Sequence, residues 1–374
     1  MLAALFWVSA GLILYTHLGY PLALRALIGL RRRPTLQPGT WEELPRVSLI
    51  VAAYDEEEVI GAKVANALAL EYPRERLELI VASDGSNDAT AGRARAAGAD
   101  LVLELPRGGK IAAQNAAAER ASGEILAFSD ANSAWDQDAL RHLVEPFADP
   151  AIGYACGQVR FLDSAGDNLE GAYWRYEMKV REMESALAGV TAGNGAIYAV
   201  RASAYVPLAP SGSHDLSFPF LLAKKGRRSL YVPWARAEEK MVPTMEGEFA
   251  RKRRMMAGLW DIVVGERMIS PRGYSPLYAF ELFSHRLLRY LTPFLHLLAF
   301  ATNLLLLDQG WVYVVAYGAQ LAAIAAAILG GQFRLAPFRA ARYYAMTTLS
   351  IAAGLWDRVR QGSPAAWDKA PGTR

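Results

Sequence analysis

The sequence predicts an α/β protein built on a doubly wound, mostly parallel sheet, with transmembrane helices added at both ends of the chain. Three observations carry this. Short apolar runs alternate with helical patterns through the middle of the chain, the order that gives a parallel sheet covered on both faces. Two of those runs end in acid, at Asp84 and Asp130, so both carboxylates fall on the edge where open α/β sheets bind ligands. Hydrophobic residues make up 53% of 374, and their excess sits at the two ends.

Bulk properties narrow the function. The length allows more than one unit of ~100–200 residues. A net charge of +3 gives no reason to expect nucleic acid. Cys156 is the sole cysteine, so there is no intrachain disulfide and no zinc-ligand cluster.

Leu2 to Leu30 is apolar apart from His17 and Arg25, and exceeds the ~20 residues that cross a hydrocarbon core. Pro21 interrupts it, so an interfacial or re-entrant helix competes with a spanning one. No cleavage pattern follows, and Arg31–Arg33 place what comes next in the cytoplasm. Residues 31–45 read as a linker. Val47 to Tyr54 is a buried strand, and Asp55 to Leu70 a helix with Glu56, Glu57 and Glu58 in its first turn. Leu77 to Ala82 is the next strand, Asp88 to Ala97 a helix, Asp100 to Leu105 a strand and Gly109 to Ala121 an Ala-rich helix.

The stretch Gly123 to Asn132, GEILAFSDAN, organises the rest. Its apolar run delivers Asp130 to the sheet edge. A carboxylate there can hold a hard divalent cation, and the cation a diphosphate. Asp130 as a simple turn cap is the competing reading. Gly153 to Phe161 is a strand, Asp167 to Leu187 a long helix, Thr191 to Arg201 a Gly-rich turn entering a strand, and Ser229 to Pro233 a short strand. Ser213, His214 and Asp215 precede a helix through Ala223. Residues 46–244 thus read as one α/β unit. Residues 245–286 follow as amphipathic interface helices, led by Glu248 to Trp260, whose mix of Arg, Met, Leu and Trp suits a membrane surface. Residues 287–360 hold the C-terminal transmembrane helices, Leu287 to Leu307 and Trp311 to Leu329, with Ala341 to Trp356 either spanning or lying on the surface. A polar tail, 361–374, ends the chain.

Taken in order, VSLIVAAYDEE, ASDGSNDAT, GGKIAAQNAAAERASGEILAFSDAN, GNGAIYAVR, HD and EFARKRRMMAGLW resemble the membrane-bound glycosyltransferases of family 2. That group includes the synthases of cellulose, chitin oligosaccharides and hyaluronan. The resemblance implies a GT-A fold, a nucleotide-diphosphate sugar donor carrying uracil, and Mg2+ or Mn2+. It places Ala53, Tyr54, Asp55, Glu56 and Ser129 in the nucleotide-sugar pocket, Asp84 on the base and Lys110 near the nucleotide. It makes Asp130 and Asn132 the metal ligands and Asp215 the general base. Arg251 and Arg254 fall on the diphosphate; Gly193, Asn194, Gly195 and Trp260 fall on the acceptor side. The implied setting is a multi-pass protein of the cell membrane, in contact with its lipids, with a cytoplasmic catalytic domain and a glycan or polyprenyl-lipid acceptor. An oligomer is compatible with this.

Inverting transfer needs these residue types. One carboxylate must take the acceptor proton, while a cation and guanidinium groups receive the charge of the leaving diphosphate. Three positions depart from the pattern. Asn132 stands where a second metal-binding acid is usual. His214 replaces the first acid of the base pair, with a surface-loop histidine as the competing reading. The QxxRW signature of processive synthases is absent. Two other classes remain: a nucleotidyltransferase, which would want a GxGTR-type loop where Tyr54-Asp55-Glu56 stands, and a non-catalytic scaffold that kept the fold.

Overall fold

The computed structural model describes residues 1–30, 41–162, 169–240, 245–333 and 335–362. Arg31–Arg33, most of the expected linker and nearly all of the tail lie outside them.

Eight strands form one sheet: β1 (Val47–Ala53), β2 (Leu77–Asp84), β3 (Leu101–Leu105), β4 (Ile125–Asp130), β5 (Ala134–Trp135), β6 (Ile152–Leu162), β7 (Ile197–Arg201) and β8 (Arg228–Lys240). Their spatial order is β3-β2-β1-β4-β7-β6-β8-β5. The first four run parallel, and the register sets Ala53 beside Ser83 and Ala52 beside Asp130. The ends of β1, β2 and β4 therefore emerge together, as the two acidic strand ends predict.

The continuous apolar run VSLIVAA has a physical cause. Every residue of β1 is buried. Val47, Leu49 and Val51 pack on one face with Ile60, Val64 and Leu140. Ile50 packs on the other with Ala113 and Phe128. A strand covered on both faces has no polar side to alternate with.

Several elements differ from expectation. β7 runs antiparallel to both β4 and β6, with Ser129 opposite Ile197, so the sheet is mixed. β8 continues to Lys240 because it pairs with β6 along its length and with the short β5, which the sequence does not signal. The helix expected from Asp55 begins at Ile60. Asp55 sits at φ 49°, its N–H donates to Ser86 Oγ (3.0 Å) and its carboxylate accepts from Asn87 N–H (2.8 Å). These bonds fold residues 55–59 into a turn against the β2 loop, ahead of the helix.

Two described helices are long and apolar enough to cross a membrane, Leu2–Leu30 and Trp311–Leu329. The first runs through Pro21, and a π turn at Tyr15–Gly19 accommodates the ring. Proline has no N–H for the carbonyl of His17; the hydroxyl of Tyr176 donates to that carbonyl instead, at 2.9 Å. The expected Leu287 to Leu307 span is instead a 17-residue helix, Leu288–Leu304, continued backwards by a π turn, Leu282–Leu287, and the helix Pro276–Glu281. The apolar stretch at 341–356 belongs to a longer helix, Ala336–Gln361, which lies along Met245–Trp260. Lys252 donates to Tyr343 (2.7 Å), and Arg253 pairs with Asp357 (2.6 Å).

Candidate active site

β4 ends at Asp130, and Lys110 opens the helix Lys110–Arg120 beside it. Their side chains form an ion pair, each about one-fifth exposed (23% and 22%). Burial alone would lower the Lys110 ammonium. The charge of Asp130, with Asp215 and Glu239 further off, outweighs it and raises the group above its usual range. Gly195 fixes the remaining geometry: a Cβ there would lie 3.9 Å from Lys110 Nζ and 4.0 Å from Asp215 Cγ. Asp130, Lys110, Gly195 and Asp215 thus surround one small space.

β7 makes this possible. Because it runs antiparallel to β4, the loop that enters it, Thr191–Ala196, lies at the edge where β4 ends. The N–H of Gly193 then donates to the Asp215 carbonyl at 2.6 Å, which ties the loop to the start of the helix His214–Lys224. Gly193 has no room for a side chain, since a Cβ would stand 1.8 Å from the hydroxyl of buried Tyr154. Gly193→Ala is expected to cost roughly 1–3 kcal/mol, the usual range for overpacking. Gly195→Ala, where the contacts are ordinary, should keep parental stability and lose activity by filling the space. Denaturant unfolding alongside an activity assay separates the two.

Asp84 has another role besides the one the resemblance implies. It is 1% exposed. Its oxygens accept from Gly108 N–H (2.7 Å), Gly109 N–H (2.9 Å) and Arg107 Nη1 (2.6 Å). The carboxylate therefore holds the loop that leads to Lys110. It also sets Arg107 over the Tyr54 ring, 3.3 Å from its centroid. Sequence reasoning missed Arg107; its place directly before GGK was the available signal. Ala53, Ser129 and Glu56 are buried, while Tyr54 and Asp55 are part-exposed at the edge.

Other expected residues are placed differently. Asn194 turns inward, donating to the Gly157 carbonyl and accepting from Arg181, so only Gly195 of the GNG turn meets the space. Arg251 pairs with Glu248 on its own helix (2.7 Å), and Arg254 is exposed on the same helix. Trp260 packs with Phe220, Leu259 and Ile262. None of these contacts brings the three residues to the Asp130–Lys110 pair. His214 is no surface residue. It is 3% exposed among Phe128, Tyr205 and Phe218, and its Nδ1 pairs with the Tyr198 hydroxyl at 2.7 Å. Burial, with Lys110 nearby, lowers its pKa to about 3, so it is a neutral core group.

Lys63 was not foreseen. It is 3% exposed, donates to the Ser133 carbonyl at 2.8 Å and lies over Trp135. It thus braces the turn that follows Asp130. Burial lowers its pKa to about 7, with Asp130 and Glu239 opposing. The folded value lies below the unfolded 10.5, so between about pH 7 and 10.5 the unfolded chain binds the extra proton. The Lys63 contribution to stability therefore rises with pH across that window, by at most ~1.4 kcal/mol per unit. The difference in unfolding free energy between the parent and Lys63→Met should move in the parent's favour as pH rises; a constant difference would refute the assignment.

The oxygen donors fit a hard cation shared with a substrate. Among the described residues there is no group of three or more His, Cys, Asp or Glu suited to hold a metal by itself. One carboxylate, Asp130, with the amide of Asn132 matches a Mg2+-type ion that takes its other ligands from phosphates and water.

Residues 48–202 match the family described as Glycosyl transferase family 2. Among curated proteins, the poly-beta-1,6-N-acetyl-D-glucosamine synthase of Staphylococcus aureus is 25% identical over 60% of this chain and 57% of its own length. The beta-monoglucosyldiacylglycerol synthase of Trichormus variabilis is 29% identical over 71% of this chain and 61% of its own. The chain thus spans less than two thirds of the length of either relative. Among solved structures, a mannosyltransferase from Pyrobaculum calidifontis, in complex with GDP-Man and Mn2+, superposes with a TM-score of 0.75 at 22% identity, covering 96% of this chain and 99% of that one. The chain carries a glycosyl transferase family 2 domain, and the mixed sheet that supports it is a GT-A fold.

Proposed function

We propose that the protein is a membrane-anchored, inverting glycosyltransferase that moves a sugar from a nucleotide-diphosphate sugar, a UDP-sugar first, to a glycan or lipid-linked acceptor. The carrying observation is the convergence of Asp130, Lys110, Gly195 and Asp215 on one space at the sheet edge. The acceptor hydroxyl oxygen attacks the anomeric carbon and its proton passes to Asp215. The bond from that carbon to the diphosphate breaks, and the leaving nucleoside diphosphate takes the electron pair. Lys110 lies beside the metal ligand, where it can neutralise that charge. A Mg2+ or Mn2+ held by Asp130 and Asn132 would supply Lewis-acid stabilisation of the same group. The relatives support both acceptor types, one named for a polysaccharide and the other for a glycolipid. The helices Leu2–Leu30 and Trp311–Leu329 support the anchoring.

The test is a panel of radiolabelled UDP- and GDP-sugars on membranes containing the full chain, followed by extraction into aqueous and organic phases. Transfer or hydrolysis of one donor is expected. If no donor binds and none is turned over, the scaffold reading takes its place.

A further inference from the structure

A buried carboxylate, set back from the reacting space, ties distant parts of the chain to the loop that enters β7. Glu184, near the end of the helix Leu169–Leu187, and Thr191 are both 0% exposed. The Thr191 N–H donates to Glu184 Oε2 at 3.2 Å, and the Thr191 hydroxyl to the same oxygen at 3.0 Å. The Tyr20 hydroxyl, from the N-terminal helix, donates to Oε1 at 2.7 Å, and His285 Nδ1 meets Oε1 at 2.6 Å. A carboxylate taken out of water needs such partners at both oxygens. Burial alone would raise the Glu184 carboxyl. His285, with Arg286 beside it, outweighs burial and holds the group below its usual range, so it is an anion.

The segment ahead of the helix Leu288–Leu304 grips the same place. The Tyr278 hydroxyl donates to the Val190 carbonyl at 3.2 Å. Arg286 Nε donates to the Thr191 hydroxyl at 3.0 Å, and His285 reaches Thr191 through Glu184. His285 and Arg286 are neighbours in the π turn Leu282–Leu287. Such turns are rare and frequently mark functional sites. Leu288–Leu304 in turn packs along Leu2–Leu14, with Phe6 against Ala299. The N-terminal helix and the helix Leu288–Leu304 are thus both tied to one loop.

That loop leads straight to the site. Two residues after Thr191, the Gly193 N–H donates to the Asp215 carbonyl, and Gly195 then lines the space shared with Asp215. Glu184 acts at a remove, through Thr191. A displacement of about 1 Å caused far from the chemistry can cost ~10²-fold in rate.

We propose that Glu184 is a positioning residue for the transfer step: through Thr191 it fastens the loop that carries Gly195, so that the helices flanking the α/β unit set the geometry at Asp215 as well as anchoring the chain. The role in transfer rests on the transferase reading; the fastening does not. Thr191→Val keeps the side-chain shape and removes the hydroxyl, Thr191→Ser keeps the hydroxyl, and Glu184→Gln keeps the shape and removes the charge. All are made in the full chain in detergent. Without donor, amide hydrogen exchange over residues 191–196 should be about tenfold faster in Thr191→Val and Glu184→Gln than in the parent. With the radiolabelled UDP- and GDP-sugar panel, the same two variants should lose roughly 10- to 100-fold in turnover at near-parental donor affinity. Thr191→Ser should match the parent in both. Parental exchange in Thr191→Val would overturn the proposal, as would parental turnover despite faster exchange. So would an equal loss in Thr191→Ser, which would mark packing and not the hydroxyl, or a loss of donor affinity in step with turnover, which would mark general damage. The Thr191 pair decides the matter even if Glu184→Gln does not fold. A parent that binds no donor would end the transferase reading and the role in transfer with it, while exchange still decides the fastening.

Discussion

Asp215→Asn should bind nucleotide-sugar with near-parental affinity and yet lose about 10²-fold or more in turnover, the usual range for removing a general base. A purely structural role for Asp215, capping the helix start, is limited by its position. The helix begins at His214 with Ser213 in the capping position, and Asp215 lies in the first turn, where it accepts from the Ser213 hydroxyl. Asparagine keeps that acceptor. It gives up only the charge–dipole attraction, worth ~0.3–1 kcal/mol. A rate loss without a matching loss of stability or donor affinity would therefore be chemical. Parental turnover with normal donor binding would remove Asp215 from the mechanism, and Glu238 and Glu239 on β8 would be tested next.

Asp130→Ala should abolish transfer, and saturating EDTA should do the same to the parent. The substitution acts twice. It removes the acid that would hold the cation, and with it the carboxylate paired to the Lys110 ammonium at the sheet edge. Loss of one such electrostatic element costs on the order of 10²–10³ in rate, and loss of two together should put transfer below detection. Activity that survives chelator while Asp130→Ala is dead would keep the carboxylate and discard the metal. Nucleotide binding by the variant, measured with and without Mn2+, tells the two apart.

The parallel half of the sheet was legible because its signals are local. Continuous apolar runs mark strands buried on both faces, and an acid at the end of a run marks the edge. Asp84 and Asp130 emerge there together, as read. Direction was not legible. The sequence of β7 would suit a strand running either way, and only its pairing with β4 and β6 makes it antiparallel. Burial partners were equally hidden. HD reads as a loop before a helix, but His214 closes an aromatic cluster drawn from β4, β7 and its own helix. Lys63 looked like any surface lysine on a short helix. Asp84 reads as a free acid at a strand end, and what it holds, the Arg107–Gly109 loop, lies two elements further on.

The antiparallel strand also has a kinetic meaning. β1 to β4 are all present once Asp130 has been made, and β4 itself reaches back roughly 80 residues to pair with β1. β7 follows roughly 70 residues later, so Ile197 can meet Ser129 only after that half of the sheet exists. Asp130 and Lys110 belong to the early half, Gly195 and Asp215 to the late one. On the proposed assignment, the donor side is thus made before the acceptor side, so an incomplete chain would carry the residues assigned to the nucleotide and lack the one assigned to the acceptor's proton.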